Sequence, residues 1–213
     1  MELVSVQIAS SPSPVKIGSR TDQTGIFKAP VSEAVVTAAG LTGDTIVDTR
    51  HHGGPDQAVY VYSAEDYAWW AGELMHELPP GQFGENLTLS TFGDTAVRVG
   101  DHYSCGEVVL EVTAPRIPCN TFQAKMQRDG WVEAFRTARR PGFYARVLAG
   151  GKVRSGMAAT RTPAPDTNLG LLEMMDLHYQ RPPDLDGIRR ALESPVAERA
   201  RADYLATLER HGG

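Results

Sequence analysis

Glycine and proline decide most of what this chain can become. Up to about residue 160 they cut it into short apolar runs that are rich in β-branched residues and closed by turn signals. Val4, Val6 and Ile8 alternate in the first run, as a strand requires. Ser10–Thr24 reads as loop with a short strand at Val15–Ile17, Val31–Ala39 as strand, and Gly40–Asp44 as a turn. Ala58–Tyr62 (AVYVY) is strongly strand-forming. Further strands are expected at Asn86–Ser90, Ala96–Val99, Tyr103–Ser104, Val108–Thr113 (ending at Pro115), Phe143–Leu148 and Val153–Met157. Two helical pieces interrupt them. Ala64–Glu77 carries Tyr67, Trp70, Leu74 and Leu78 at helical spacing behind a Ser63…Asp66 cap, and a pair follows Cys119, with Asn120 as cap and Trp131–Arg139 as its second part. Composition then shifts. Arg161–Thr167 reads as a linker, and the helical patterns Asn168–His178, Asp184–Leu192 and Pro195–Arg210 follow, separated by proline. Leu185, Ile188, Leu192, Val196, Tyr204, Leu205 and Leu208 are expected to pack as a small bundle. The fold class is mainly β with α: an antiparallel or mixed β-barrel with helical decorations over residues 1–160, then a three-helix module over 168–213.

The remaining composition bounds function by exclusion. A net charge of −5 argues against a broad nucleic-acid footprint. No apolar run reaches the ~20 residues of a membrane span, and MELVSVQIAS lacks a basic leader, so a cytoplasmic location is expected, with no membrane partner. Two cysteines are too few for a disulfide framework or a structural zinc site. Phosphate-loop, dinucleotide, nucleophile-elbow and zinc-protease signatures are absent.

Four stretches carry chemistry. Arg50–Asp56 (RHHGGPD) reads equally as an anion-binding nest, with His51 or His52 adding a donor, or as a solvated turn. Phe83–Asn86 (FGEN) places Glu85 and Asn86 at a strand start, and on its own it is a turn. In Ala114–Asn120 (APRIPCN) two prolines stiffen the backbone around Arg116 and hold Cys119. A nearby guanidinium and a helix start at Asn120 both favour a thiolate. The plainer reading, a small buried hydrophobe, suits Cys105 better than Cys119. The fourth stretch is basic: Arg136, Arg139, Arg140 and Arg146, with Lys28 and Lys152 elsewhere, mark an anion site or a solvated face.

Taken in order, Gly43-Asp44, His52-Gly-Gly54 with Asp56-Gln-Ala58, Phe83–Thr88, Val99-Gly-Asp101, Pro115-Arg-x-Pro-Cys119 and Gly142–Leu148 resemble the MOSC domain family over nearly the whole chain. The three-helix tail is similar to that of the YiiM-like stand-alone branch. The resemblance implies a β-barrel that binds a molybdenum–pterin cofactor and reduces N-hydroxylated compounds, including hydroxylamino base analogues, with electrons from an external redox partner. It implies Cys119 as metal ligand, Cys119, Arg116 and His52 as catalytic residues, and His52, Gly53, Gly54, Glu85, Asn86, Arg116, Lys28 and Arg146 as cofactor-binding. Many relatives carry Gly-Asp near the last strand, where this chain has Ser155-Gly-Met157. A non-catalytic cofactor-binding or sulfur-carrier module is the alternative, and a Cys119–His52 hydrolase ranks behind it. The apolar faces of the tail could pair two copies as a homodimer.

Overall fold

The computed structural model describes residues 1–50 and 52–211. Its strands are β1 (Leu3–Ile8), β2 (Ser13–Ile17), β3 (Arg20–Thr24), β4 (Ala29–Val31), β5 (Glu33–Thr37), β6 (Gly40–Leu41), β7 (Val59–Ser63), β8 (Leu87–Leu89), β9 (His102–Cys105), β10 (Val108–Pro115), β11 (Phe143–Ala149), β12 (Gly151–Arg154) and β13 (Ala159–Thr162). The helices among the described residues are α1 (Ala64–Leu74), α2 (Asn120–Met126), α3 (Trp131–Ala138), α4 (Leu171–Tyr179), α5 (Leu185–Glu193) and α6 (Glu198–His211). None is long and apolar enough to cross a membrane.

One strand explains the layering. β7 reads Val-Tyr-Val-Tyr-Ser and is buried at every position. Side chains alternate across a strand, so Val59 and Val61 enter an aliphatic core on one face. Tyr60 and Tyr62 enter an aromatic layer on the other, with Trp70, Phe83, Phe122, Trp131 and Phe135. β11 repeats the pattern in register, Phe143 opposite Val61 and Tyr144 opposite Tyr60. Helices α1, α2 and α3 supply the lid of this aromatic layer. The buried hydroxyls find acceptors: Tyr60 donates to the Pro141 carbonyl (2.8 Å), and Tyr62 donates to the Arg140 carbonyl and accepts from Trp70 Nε1 (both 2.9 Å). Ser63 caps α1 as expected, its Oγ accepting from the Asp66 amide at 3.0 Å.

Eight strands form one sheet in the order β13-β9-β10-β11-β7-β8-β1-β4. All neighbours are antiparallel except β7 and β8, the pair joined through α1. β12-β5-β6 and the hairpin β2-β3 are separate sheets. The fold is therefore mixed α/β around a large sheet, and the ladder does not close into the expected barrel: β4 and β13 remain its edges. The sheet curls enough for a single bridge, Glu2 to Ala158, to link the two ends. That seam lies at Ser155-Gly156-Met157, where the Leu3 amide donates to the Met157 carbonyl and the Gly156 amide to the Leu3 carbonyl (both 2.9 Å).

Other local expectations are corrected by long-range pairing. Val31–Ala39 breaks at Ser32, because β4 pairs with β1 while β5 pairs with β12. Ala96–Val99 is not a strand; it makes one bridge, Arg98 to Gly170, ahead of α4. The linker expected at Arg161–Thr167 starts later, since Arg161 and Thr162 belong to β13 and Arg161 is paired with buried Asp101 at 2.6 Å. The three C-terminal helices form where expected, apart from Gly212 and Gly213, which lie outside the described residues. They pack on one another, α5 against α6 and α4, and also bury Met174, Leu177, Ala191 and Val196 with Val99 and Ala114 of the sheet region, so the expected bundle is laid onto the sheet and does not stand alone. Leu205, expected in a bundle core, is 48% exposed.

Candidate functional site

β10 ends at Pro115, opposite Phe143 of β11. The strap Arg116–Pro118 then leaves the sheet and delivers Cys119 to the start of α2. Cys119, not Asn120, is the N-cap residue, with an extended backbone (φ −130°, ψ 172°) and no side-chain cap bond. The first helical bond runs from the Gln123 amide to the Cys119 carbonyl at 3.0 Å. This register puts Phe122 fully into the aromatic layer, and that burial, roughly 2–3 kcal/mol, outweighs the better capping propensity of asparagine.

Arg116 turns inward beneath the strap. It is 3% exposed, and its guanidinium lies 4.8 Å from the Tyr60 ring centroid and 4.3 Å from that of Phe122. Nη1 donates to the Phe83 carbonyl at 2.8 Å, while Nε is buried without a partner. Among the described residues it has no carboxylate partner. Burial opposes its charge, but Tyr144, Tyr60 and Cys119 around it together hold its pKa above the ordinary arginine value. Gly84 belongs here for a steric reason. Its φ is +75°, and an added Cβ would sit 2.8 Å from Ile26 and 3.6 Å from Arg116 Nη1, so only glycine lets the loop pass this close.

Arg116 opens onto a chamber of about 320 Å³ walled also by Lys28, Asp44, Asn86, Tyr60, Tyr144, His52, Gly53 and Cys119. Asp44 anchors its floor. Oδ1 accepts from the Ala9 amide at 2.8 Å; Oδ2 accepts from Asn86 Nδ2 at 2.8 Å and is ion-paired with Lys28 Nζ. Asn86 also accepts from the Tyr60 amide at 3.2 Å. Burial lowers the Lys28 pKa despite Asp44. Behind the wall, Lys125 Nζ donates to the carbonyls of Ile26 and Gly81 (2.9 and 2.5 Å), and burial pushes its pKa down to about 7. Glu85 is fully buried and holds the turn, accepting at Oε1 from the Gly81 amide (2.7 Å) and the Tyr67 hydroxyl (2.6 Å). Among the described residues the formal charges lining the chamber balance, Arg20, Lys28 and Arg116 against Asp22, Asp44 and Asp48, and of these cations Arg116 is the one buried as a whole residue, which suits an anionic group placed against it.

The expected site residues divide clearly. Cys119, Arg116, His52, Gly53, Asn86 and Lys28 line one chamber, although they are far apart in sequence. Glu85 lies behind the wall as a turn anchor. Gly54 is exposed, off the wall, and takes φ +80° to start the short turn Pro55–Gln57. Arg146 is elsewhere: it bonds Asp56 at 2.9 Å, Glu111 at 3.0 Å and the carbonyls of Pro195 and Val196. His51 lies outside the described residues. Sequence reasoning did not single out Tyr60, Tyr144 or Thr121 as wall residues. The signal was present for the tyrosines, since hydroxyl-bearing aromatics alternate with valine in β7 and face Arg116 from β7 and β11.

Among the described residues no three His, Cys, Asp or Glu side chains are grouped to hold a bare metal ion. A metal here would bring most of its own ligands and take one thiolate from the protein. A molybdenum–pterin cofactor has that character, and its phosphate would meet the buried Arg116 guanidinium, whose Nε has no partner. The residues present fit the group.

A model of the MOSC domain matches residues 48–160, more than half of the chain. The chain is 31% identical over 201 residues to the uncharacterized protein YflK of Bacillus subtilis, covering 93% of this chain and 91% of that protein. It is 30% identical over 169 residues to a Gibberella moniliformis protein named reductase, covering 76% of this chain but 29% of that longer protein. The crystal structure of YiiM from Geobacillus stearothermophilus superposes with a TM-score of 0.76 at 24% identity, over 97% of this chain and 98% of the other, which establishes the shared fold.

Proposed function

The chain belongs to the MOSC domain family, and from that premise we propose that it is a molybdenum-cofactor-dependent reductase of N-hydroxylated compounds, drawing electrons from a separate redox protein. The observation that carries the reading is Arg116: a desolvated guanidinium with no carboxylate partner among the described residues, beside the thiol of Cys119 on the chamber wall. We read residues 1–160, with the curled sheet as a barrel open at its seam, as the cofactor-holding unit and 168–213 as a helical module laid against it. The matched family region begins at Asp48, so Lys28 and Asp44 reach the same chamber from connections of the segment before it, between β3 and β4 and after β6.

Cys119 would ligate the metal, and Arg116 and Lys28 would bind the anionic groups of the cofactor. When bound, the cofactor supplies a metal centre that takes up and releases electron pairs. The protein's own contribution is positional and electrostatic. The prolines on either side of Arg116 fix the strap, so Cys119 does not swing with the solvent. Arg116 is held between two rings and needs no reorganisation to meet a negative charge. His52, half-buried where the chamber opens, is the proton donor. Reduction of R–NH–OH to R–NH2 and water consumes two electrons and two protons and breaks the N–O bond, and an imidazole is suited to protonate the departing oxygen.

The test is turnover. Protein made in a cofactor-producing host should reduce an N-hydroxylated amine with a reduced dye as donor, and Cys119→Ser should keep the fold and lose at least ~100-fold in kcat. Full turnover in that variant contradicts the assignment. A labile sulfur on Cys119 in protein that never turns over would favour the carrier reading instead.

A further inference from the structure

The residues that the family model matches stop at 160, yet one of the bonds that hold the glycine loop comes from beyond them. Asp56 stands four positions after His52, and three of its oxygens are engaged. Oδ1 accepts from Arg146 Nε at 2.9 Å, Oδ2 from the Glu198 amide at the start of α6 at 2.7 Å, and its carbonyl from the Thr113 hydroxyl of β10 at 2.5 Å. Arg146 carries the tie onward to Glu111 at 3.0 Å and to the carbonyls of Pro195 and Val196, just ahead of α6, at 3.2 and 3.4 Å. One aspartate thus fastens the loop to β10, β11 and the C-terminal module. A carboxylate at a helix N-terminus is also favourable in itself.

The loop depends on this tie because of its own backbone. Between His52 and Asp56 lie only Gly53, Gly54 and Pro55, and both glycines take positive φ, 72° and 80°. Glycine exchanges between backbone conformations at little steric cost, so this segment has small stiffness of its own. Upstream, the His52 amide donates to the Asp48 carbonyl at 3.0 Å. His52 therefore sits between a local turn on one side and Asp56 on the other. The start of α6 reaches the same place from outside. Ala197, Arg199 and Ala200 share with His52 and Cys119 the wall of a second groove, of about 610 Å³, on the outer side of the strap. His52 and Cys119 line both that groove and the inner chamber.

We infer that the C-terminal module serves the reaction by placing the proton donor, with Asp56 as the positioning residue: Arg146 and the α6 amide hold its carboxylate, and Asp56 holds His52 at the chamber mouth. The inference rests on the reductase reading, in which His52 protonates the departing oxygen as the N–O bond breaks. The chemistry is unchanged, and what α6 adds is the place from which the proton arrives. A donor misplaced by about 1 Å costs up to ~100-fold in rate. Arg116, Lys28 and Cys119 are held by other elements, so cofactor retention and substrate affinity do not depend on the tie.

Glu198 allows a clean test, because its backbone amide, and not its exposed side chain, makes the bond. It is the first residue of α6, where proline is tolerated, and the first bond of the helix runs instead from the Arg201 amide to the Ala197 carbonyl at 2.9 Å. Glu198→Pro deletes the donor and Glu198→Ala keeps it. In full-length holoprotein, hydrogen exchange at the amides from Gly53 to Ala58 should be about tenfold or more faster in the proline variant and unchanged in the alanine variant. With an N-hydroxylated amine and a reduced dye, kcat of the proline variant should fall about tenfold or more, while KM and molybdenum per chain stay within about twofold of wild type. The alanine variant should keep the wild-type values. Asp56→Asn, which leaves one side-chain acceptor for two donors, should repeat the proline result and decides the matter if the proline variant does not fold. Faster loop exchange in these variants of a protein whose wild type reduces nothing supports the tether and ends the reductase reading. Wild-type loop exchange in both folded variants, or faster exchange with wild-type kcat, overturns the inference.

Discussion

Arg116 and Arg146 are both largely withdrawn from solvent, and the family resemblance implied cofactor binding for both, yet their surroundings are opposite. Arg146 meets two carboxylates and two backbone carbonyls and ties β10 and β11 to the glycine loop and α6. Arg116 meets two aromatic faces and one carbonyl, with its Nε unmatched. A guanidinium whose charge is already neutralised holds the fold together. Arg116 is held by ring faces and a carbonyl, with no carboxylate matching its charge among the described residues. On the proposed reading the chamber around Arg116 receives an anion, whereas the tie around Arg146 is already complete.

Substitutions at the two positions should separate these roles, and the largest effect belongs to Arg116. Arg116→Met should lower retained cofactor by at least ~10-fold, the loss of a charge-assisted contact, while Tm stays within about 3 °C of wild type or rises, because an apolar isostere replaces a buried uncompensated cation. Metal analysis and a thermal melt on the same preparation check both halves. Arg146→Met should do the reverse. Leaving Asp56 and Glu111 without their cation should cost about 2–4 kcal/mol, a Tm drop on the order of 5–10 °C, with cofactor per folded chain preserved. A variant of Arg146 that folds normally but comes without cofactor would break the comparison.

Lys125 sharpens it through pH. Its pKa is pushed down to about 7 in the folded protein from an ordinary 10.5. Between those values the unfolded chain binds the extra proton, so this group makes stability rise with pH from about 7 to 10.5, and its penalty is fully present below 7. Lys125→Met removes that penalty, on the order of 5 kcal/mol. The two carbonyls it leaves behind do not titrate. The Tm of the variant minus that of wild type should therefore be more positive at pH 6 than at pH 9.5, as melts across that range would show. The smallest effects fall on the loop that joins the two arginine sites. Gly53→Ala places alanine at positive φ and brings a Cβ to 3.0 Å from Ile46 on the chamber wall, whereas Gly54→Ala meets open space but must hold φ 80°, ψ 169°, a region essentially reserved for glycine. Chemical denaturation should show both variants destabilised, by about 1–3 kcal/mol each.

Much of this was legible because the signals are local. Alternation in β7, the Ser63 cap of α1 and the proline-separated helices at the C-terminus are set by neighbouring residues, and they form as read. The ordered motifs also brought Lys28, His52, Gly53, Asn86, Arg116 and Cys119 to one wall. What sequence could not give depends on partners far along the chain. Arg146 reads like any basic residue until Asp56, 90 positions away, is placed against it. Asn120 has the better capping side chain, but packing of Phe122 moves the helix start to Cys119. The seam where the curled sheet's ends meet, from Met1–Leu3 to Gly156–Ala159, joins segments about 155 positions apart, which no local pattern encodes.

The most direct test of the chamber is its content. Full-length protein purified from a host that makes the molybdenum cofactor should carry close to one molybdenum and one pterin per chain, lose both in Arg116→Met, and lose neither in Arg146→Met when counted per folded molecule. Wild-type protein from that host with neither metal nor pterin, or equal loss in the two arginine variants, would contradict the account.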